Sequence, residues 1–244
     1  MTAVVLSKAR KRATEKGQQH PKMGLDEKFH ALMKGLTWDH QGFVVVRTSY
    51  HPDPAVDEEQ WSAAYTKLLK HAGVEPEDDL FVLPVLSDPE LLSGMSFNDV
   101  ERTFVQLVRE FKNRPGREIS DEYEEDEWPS RVMDYCCLVV DDGSLKSLLA
   151  APSDPKDLRG RWAELATVYP WVIVVDTAYS ISSPRHDGKL PYLGWMRALA
   201  SSLDTLYGDL KGDLDMEENI CPPREREGQI GLYTGHYRSD LIDI

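Results

Sequence analysis

Gly42-Phe-Val-Val-Val-Arg-Thr-Ser-Tyr50 opens on four consecutive apolar residues, Phe43 to Val46, three of them β-branched. A strand with one wet face alternates apolar and polar residues, so an apolar run without alternation predicts a strand buried on both faces. His51-Pro-Asp-Pro54 stops it, because proline cannot donate to a ladder. A helix is predicted to start near Asp57. Asp57, Glu58 and Glu59 suit its positive end, Trp61, Tyr65, Leu68 and Ala72 share a face, and Gly73 is placed to end it. Upstream, Leu25, Phe29, Leu32, Met33 and Leu36 recur at helical spacing and predict a short helix over one edge of the core.

The same layout, apolar run then amphipathic run, returns three times. Leu80-Phe-Val-Leu-Pro-Val-Leu86 reads as a strand whose Pro84 calls for an edge position or a bulge. In the helix after it, Ser96 is a cap and Phe97, Val100, Phe104, Leu107, Val108 and Phe111 form one apolar stripe. A third strand, Tyr135 to Val140, ends at Asp141-Asp-Gly143, with Ser144 able to cap a short helix over 145–149. The fourth, Trp171 to Val175, ends in Asp176, and Ser180 to Gly188 reads as a loop. Leu193, Met196, Leu199, Leu203, Leu206 and Leu210 then fit one face of a long helix. That stripe either packs on its own sheet or forms a homo-oligomer seam through residues 192–210. Gln229 to Tyr233 could add a short edge strand.

Strand and helix alternate four times, which predicts an α/β fold: a single mixed sheet of at least four strands, with a two-layer α+β sandwich as the alternative. Its 244 residues, 41% of them apolar, suffice for one core. Residues 1–24 are expected to be a basic tail, 25–212 the α/β domain, and 213–244 an acidic, proline-broken, loosely structured segment.

The net charge of −14 is unevenly spread. Lys8, Arg10, Lys11, Arg12, Lys16 and Lys22 against Glu15 make residues 1–24 net positive by five and leave the rest at −19. Such an acidic body repels phosphate backbones and anionic lipid, arguing against nucleic-acid and membrane-surface functions. Ala3-Val-Val-Leu6 is too short for a signal core, and no apolar run approaches the ~18 residues of a membrane span. Cys136, Cys137 and Cys221 lack zinc-site spacing and suit a reduced compartment, with adjacent Cys136 and Cys137 on opposite faces of a strand. The expected location is the cytoplasm, with Lys8-Ala-Arg-Lys-Arg12 as a nuclear-import or acidic-partner segment. No cofactor is named by any motif. Asp121-Glu-Tyr-Glu-Glu-Asp-Glu127 has neither the small spacers nor the turn glycine of a calcium loop, and no metal is assigned to it. The seven histidines show no i, i+4 pairing, and there is no nucleophile elbow, phosphate-binding loop or dinucleotide fingerprint.

Ligands in open parallel sheets bind beyond the carboxyl ends of strands, which makes Asp141, Asp142 and Asp176 ligand-binding candidates. Acids also end strands as plain turn formers. Arg47, at the end of an apolar strand, is the strongest single clue, because a buried guanidinium must pair with a carboxylate or line a cleft. One reading pairs it with Asp141, Asp142 or Asp176. Another follows the order Arg47, then Ser180 with Ser182 and Ser183, then Glu225 and Glu227, which resembles ADP-ribosyltransferases. That resemblance implies that Arg47 holds the dinucleotide's phosphate or ribose, the serines brace the site, and Glu227 stabilises the oxocarbenium charge.

Trp38, the 42–50 stretch, Trp61, Cys137-Leu-Val-Val-Asp-Asp142 and Leu193-Gly-Trp-Met196 together resemble a large group of filamentous-fungal proteins without an agreed reaction. The resemblance spans residues 38–210 and implies a fungal source and one compact domain. The function expected from these readings is a non-catalytic binding or regulatory module that meets a protein partner, with an ADP-ribosyltransferase-like enzyme as the alternative.

Overall fold

The computed structural model of the chain describes residues 23–74, 80–114, 128–158, 169–179, 190, 192–212, 216, 220, 227–235 and 238–243. Its helices are α1 (Leu25–Lys34), α2 (Pro54–His71), α3 (Phe97–Lys112), α4 (Asp142–Ala150) and α5 (Leu203–Lys211). The strands are β1 (Gln41–Gly42), β2 (Val45–Arg47), β3 (Phe81–Val82), β4 (Val85–Ser87), β5 (Arg131–Val132), β6 (Cys136–Val140), β7 (Trp171–Asp176), β8 (Trp195–Leu199), β9 (Gln229–Gly235) and β10 (Arg238–Asp243).

Seven strands form one mixed sheet in the order β10-β9-β8-β7-β6-β2-β4, and β3-β1-β5 form a short three-stranded sheet. β4, β2 and β6 are mutually parallel, β7 is antiparallel to β6 and β8, and β9 runs parallel to β8. The short sheet prolongs three strands of the long one. Across the interruption, Phe43 N donates to Val82 O at 3.3 Å, Val45 N to Pro84 O at 2.8 Å, and Met133 N to Gly42 O at 2.9 Å. Pro84 sits at the interruption between β3 and β4, the two outermost strands of their sheets, where its missing N–H costs no ladder bond.

The uninterrupted apolar runs are explained by two covered faces. Phe43, Val45, Leu138, Val140, Val172 and Val174 face one core with Ala64 and Leu68 of α2, Leu145 and Leu148 of α4, and Leu203, Leu206 and Leu210 of α5. Their neighbours Val44, Val46, Cys137, Val139, Ile173 and Val175 face the other, with Phe29 and Met33 of α1 and the stripe of α3. Helices on both faces replace the two-layer sandwich. The chain steps from β2 out to β4 through α2 and back past β2 to β6 through α3. Crossovers of one hand running in opposite directions must lie on opposite faces, as these do.

Local signals set the helix ends. Asp53 accepts from Ala55 N at 2.9 Å and caps α2, which therefore starts at Pro54, three residues before the expected Asp57. Ser96 accepts from Asp99 N at 3.2 Å and caps α3. Asp141, rather than Ser144, caps α4, with Ser144 completing a capping box.

Two expectations are corrected. The long helix over 192–210 does not exist: Trp195–Leu199 is strand β8, paired with β7 from Trp171↔Leu199 to Val175↔Trp195, and α5 starts at Leu203. Met196 and Ala198 face one core and Leu199 the other, so apolar residues three apart, which would share a helix face, lie on opposite faces of a strand that is apolar on both sides, and β7, buried on both faces, supplied the partner edge. Met196, Leu199, Leu203, Leu206 and Leu210 are all buried in the chain's own core, which removes the homo-oligomer seam through 192–210. Within the stretch expected to be loosely structured, the described residues Gln229–Gly235 and Arg238–Asp243 are strands, and β9 lies inside the sheet between β8 and β10.

Candidate functional site

The carboxyl ends of β2, β4, β6 and β8 lie at one end of the sheet. Between β2 and β6 the chain direction reverses, since β2 leads outward to β4 and β6 leads the other way to β7. Such a switch point is where open α/β sheets form a crevice. Here it is stitched shut: Thr48 N donates to Val140 O at 3.1 Å, and the Ser49 hydroxyl donates to Asp142 Oδ1. Asp141 Oδ1 accepts from Ser144 N at 2.8 Å and is committed to the α4 cap.

Arg47 is 4% exposed. Its Nη2 donates to Asp57 Oδ1 at 2.5 Å and its Nε to Ser49 O at 2.9 Å. The guanidinium lies between the Tyr50 and Trp61 rings, 4.3 and 4.6 Å from their centroids. Asp57 Oδ1 also accepts from His51 N at 2.6 Å. The arginine's partner is therefore an acid in the first turn of α2, ten residues along the chain. It is neither Asp141, Asp142 nor Asp176, which corrects the strand-end pairing. Removing Asp57 as well as Arg47 would remove the whole pair.

Asp176 ends β7, which runs against β6, so its register partner is Cys136 at the amino end of β6. It lies at the far end of the sheet from Asp141 and Asp142, and its Oδ1 accepts from Ala178 N at 2.9 Å, an ordinary turn contact. Glu227 is an exposed turn residue at the amino end of β9. Because β9 and β8 run in the same direction as β2, Glu227 and Arg47 stand at opposite ends of the sheet. Ser180, Ser182, Ser183 and Glu225 lie outside the described residues, as do Lys8–Arg12, Cys221 and the acidic block 121–127.

Beside Arg47, the Tyr50 hydroxyl donates to Arg47 O at 2.9 Å and accepts from Asp88 N at 2.8 Å, and burial pushes its pKa above the usual phenol value. Asp88, 2% exposed, takes Lys28 Nζ at 2.7 Å and the amides of Glu90 and Leu91 at 3.0 and 3.1 Å. Burial alone would raise its carboxyl, but these donors outweigh it and the net shift is downward. A depressed folded-state pKa stabilises the fold above the ordinary carboxylate range and loses that contribution as pH falls through the folded value. Asp88→Asn should therefore lower the urea midpoint at neutral pH, and its gap from wild type should close as pH falls below about 4. A gap that stays constant with pH would mean that ionisation of Asp88 is not its source.

Cys136 and Cys137 are buried free thiols facing opposite cores, and burial pushes both far above the usual thiol range. Thiolate is the reactive form, so at about pH 8 both should resist a disulfide reagent in the folded protein and react once denaturant is added. Labelling of either thiol in the native state would contradict their placement.

The sequence reading passed over Arg197. It sits mid-strand in β8, opposite Ile173 and Leu232, with its guanidinium 3.8 Å from the centroid of the Trp171 ring. Its Nε is buried without an acceptor among the described residues, a loss of about 1–3 kcal/mol, which stacking on the ring offsets by about 0.5–2 kcal/mol. Desolvation draws its pKa down, with the charge of Asp141 pulling the other way. Trp171 is the first residue of β7 and abuts the start of α4: a Cβ on Gly143 would stand 2.9 Å from its ring. The Arg197 head thus lies near the carboxyl end of the sheet, close to Asp141.

Away from this end, a cleft of about 320 Å³ between α1 and the last turn of α3 is lined by Asp26, His30, Leu107, Glu110, Phe111, Asn113 and Arg114. Among the described residues no three metal-binding side chains converge, and no helix is long and apolar enough to cross a membrane. Comparison with protein-family models, curated proteins and solved structures finds no match to this chain.

Proposed function

We propose that this protein is a non-catalytic binding module whose working surface is the carboxyl end of the seven-stranded sheet. The observation that carries this reading is the state of Arg47. Its Nη2 is held by Asp57, its Nε by the Ser49 carbonyl, and the Tyr50 and Trp61 rings lie against it, so these contacts serve the fold. An ADP-ribosyltransferase use of Arg47 would require breaking that enclosure and bringing in Glu227 from the opposite end of the sheet. The neighbouring acids are similarly employed, Asp141 in a helix cap and Asp142 on Ser49.

Two free thiols in the core suit a reducing compartment, and the cytoplasm is the location this reading adopts. The acidic body favours a protein or small-molecule partner over a polyanion.

The test is a thermal-shift screen with nucleotides, phosphorylated and carboxylated small molecules and divalent metals, followed by mass spectrometry of whatever stabilises the protein. The expected result is a ligand that raises the Tm and is recovered intact. Recovery of a chemically altered ligand, turned over beyond the protein concentration, overturns the reading.

A further inference from the structure

We infer that Arg197, seated on the Trp171 ring, receives an oxyanionic group, carboxylate or phosphate, of a small ligand with a flat apolar body. The inference rests on the binding-module reading and names the ligand class for it.

Two other cations near this end of the sheet are spent within the chain: Arg47 is paired with Asp57 and Lys28 with Asp88. Arg197 is different. Among the described residues no carboxylate lies within ion-pair distance of it, and its buried Nε meets no acceptor. Asp141, the acid whose charge it feels, commits Oδ1 to the backbone and side chain of Ser144. A buried donor without a partner is rare enough in folded proteins to require a reason, and a role for this guanidinium in anion binding supplies one.

The surroundings select the anion's shape. Stacking at 3.8 Å fixes the plane of the guanidinium, and a fixed planar fork presents paired N–H groups to two oxygens of one carboxylate or phosphate. Trp195 precedes Arg197 by two residues, so both project from the same face of β8, and the Trp195 ring packs 4.6 Å from that of Phe97. Both rings are half-buried, offering a flat apolar surface beside the charged head. The net charge of −14 repels long polyanions far more than a single anionic head.

The experiment follows the Arg197 Nε–H resonance in nitrogen-15 spectra of the full chain during titration with inorganic phosphate, phenyl phosphate and benzoate. Phenyl phosphate or benzoate should move that resonance at millimolar concentration and bind more tightly than inorganic phosphate. The tighter of the two identifies the head group. Arg197→Met should weaken that binding by about tenfold or more, and Arg197→Lys, which keeps charge but loses the fork, by a smaller factor. Circular dichroism checks the fold of each variant. Should the Met variant not fold, the Lys variant and the wild-type resonance decide. No response to any probe, or undiminished binding in the folded variant, overturns the inference while leaving the module reading open to other ligands. Release of phenol from phenyl phosphate with binding still dependent on Arg197 overturns the non-catalytic reading and leaves this site standing.

Discussion

Arg47→Ala should lower the unfolding free energy by about 3 kcal/mol. Three losses add up in that substitution. Asp57 loses the partner that offsets its partial burial at 17% side-chain exposure, the Ser49 carbonyl loses a donor inside the core, and the space between the Tyr50 and Trp61 rings is left unfilled. Breaking a buried pair from one side costs about 3–5 kcal/mol, and the lower end applies because Asp57 keeps the His51 amide and the positive start of α2. Urea unfolding followed by tryptophan fluorescence reads the effect, since Trp61 stacks on the deleted group. Arg47→Lys should recover only part, because an ammonium cannot fill the gap between two rings and reach both oxygens. In Arg47→Ala/Asp57→Ala the combined loss should fall well short of the sum of the single losses, the signature of a shared interaction. A midpoint unchanged by Arg47→Ala would return this arginine to the role of a ligand contact.

That pair also shows where the sequence was legible. A guanidinium at the end of an apolar strand demanded a carboxylate, and there is one. Its identity depended on how the turn through His51 and Pro52 folds α2 back over β2, which places Asp57 beside Arg47 and keeps Asp142 for Ser49. Composition names the need for a partner; only the tertiary path chooses among several acids. The four apolar runs were readable because burial on both faces suppresses alternation, and α3 because an apolar stripe between a serine cap and Pro115 has few other readings.

Residues 193–210 resisted for the opposite reason. A stripe at Met196, Leu199, Leu203 and Leu206 satisfies a helix, yet Trp195–Leu199 also satisfies a strand, and the free edge of β7 settled the matter. Non-local pairing overrode local period there. The same error hid Arg197. Read as helix, it falls on a polar face and attracts no interest; placed in β8, it becomes a cation on a sheet face beside a tryptophan from the next strand. β9 was likewise visible as a strand, but its inner position depends on β10, whose residues 238–243 carry no apolar run.

The short stretch that decides the fold also contains a glycine with no room for a side chain. Gly42→Ala should cost about 4 kcal/mol or more, from a clash added to backbone strain. Gly42 has φ +130, and a Cβ there would stand 2.2 Å from Val82 O and 3.2 Å from Val82 C and N. The obstructing atoms are backbone of the paired strand β3, which no rotamer change can move. On either side, Gln41 N donates to Leu80 O at 2.7 Å and Phe43 N to Val82 O at 3.3 Å, so relieving the clash means parting β1 from β3. Gly73→Ala supplies the control, because Gly73 at φ +72 has nothing within 4 Å of its would-be Cβ. It should show the conformational penalty alone, about 1–2 kcal/mol. Urea midpoints for the two variants separate the terms, and equal losses would mean that β1 and β3 are not in the close register seen here. A large excess at position 42 would tie the pairing of β1 with β3 to a single missing side chain.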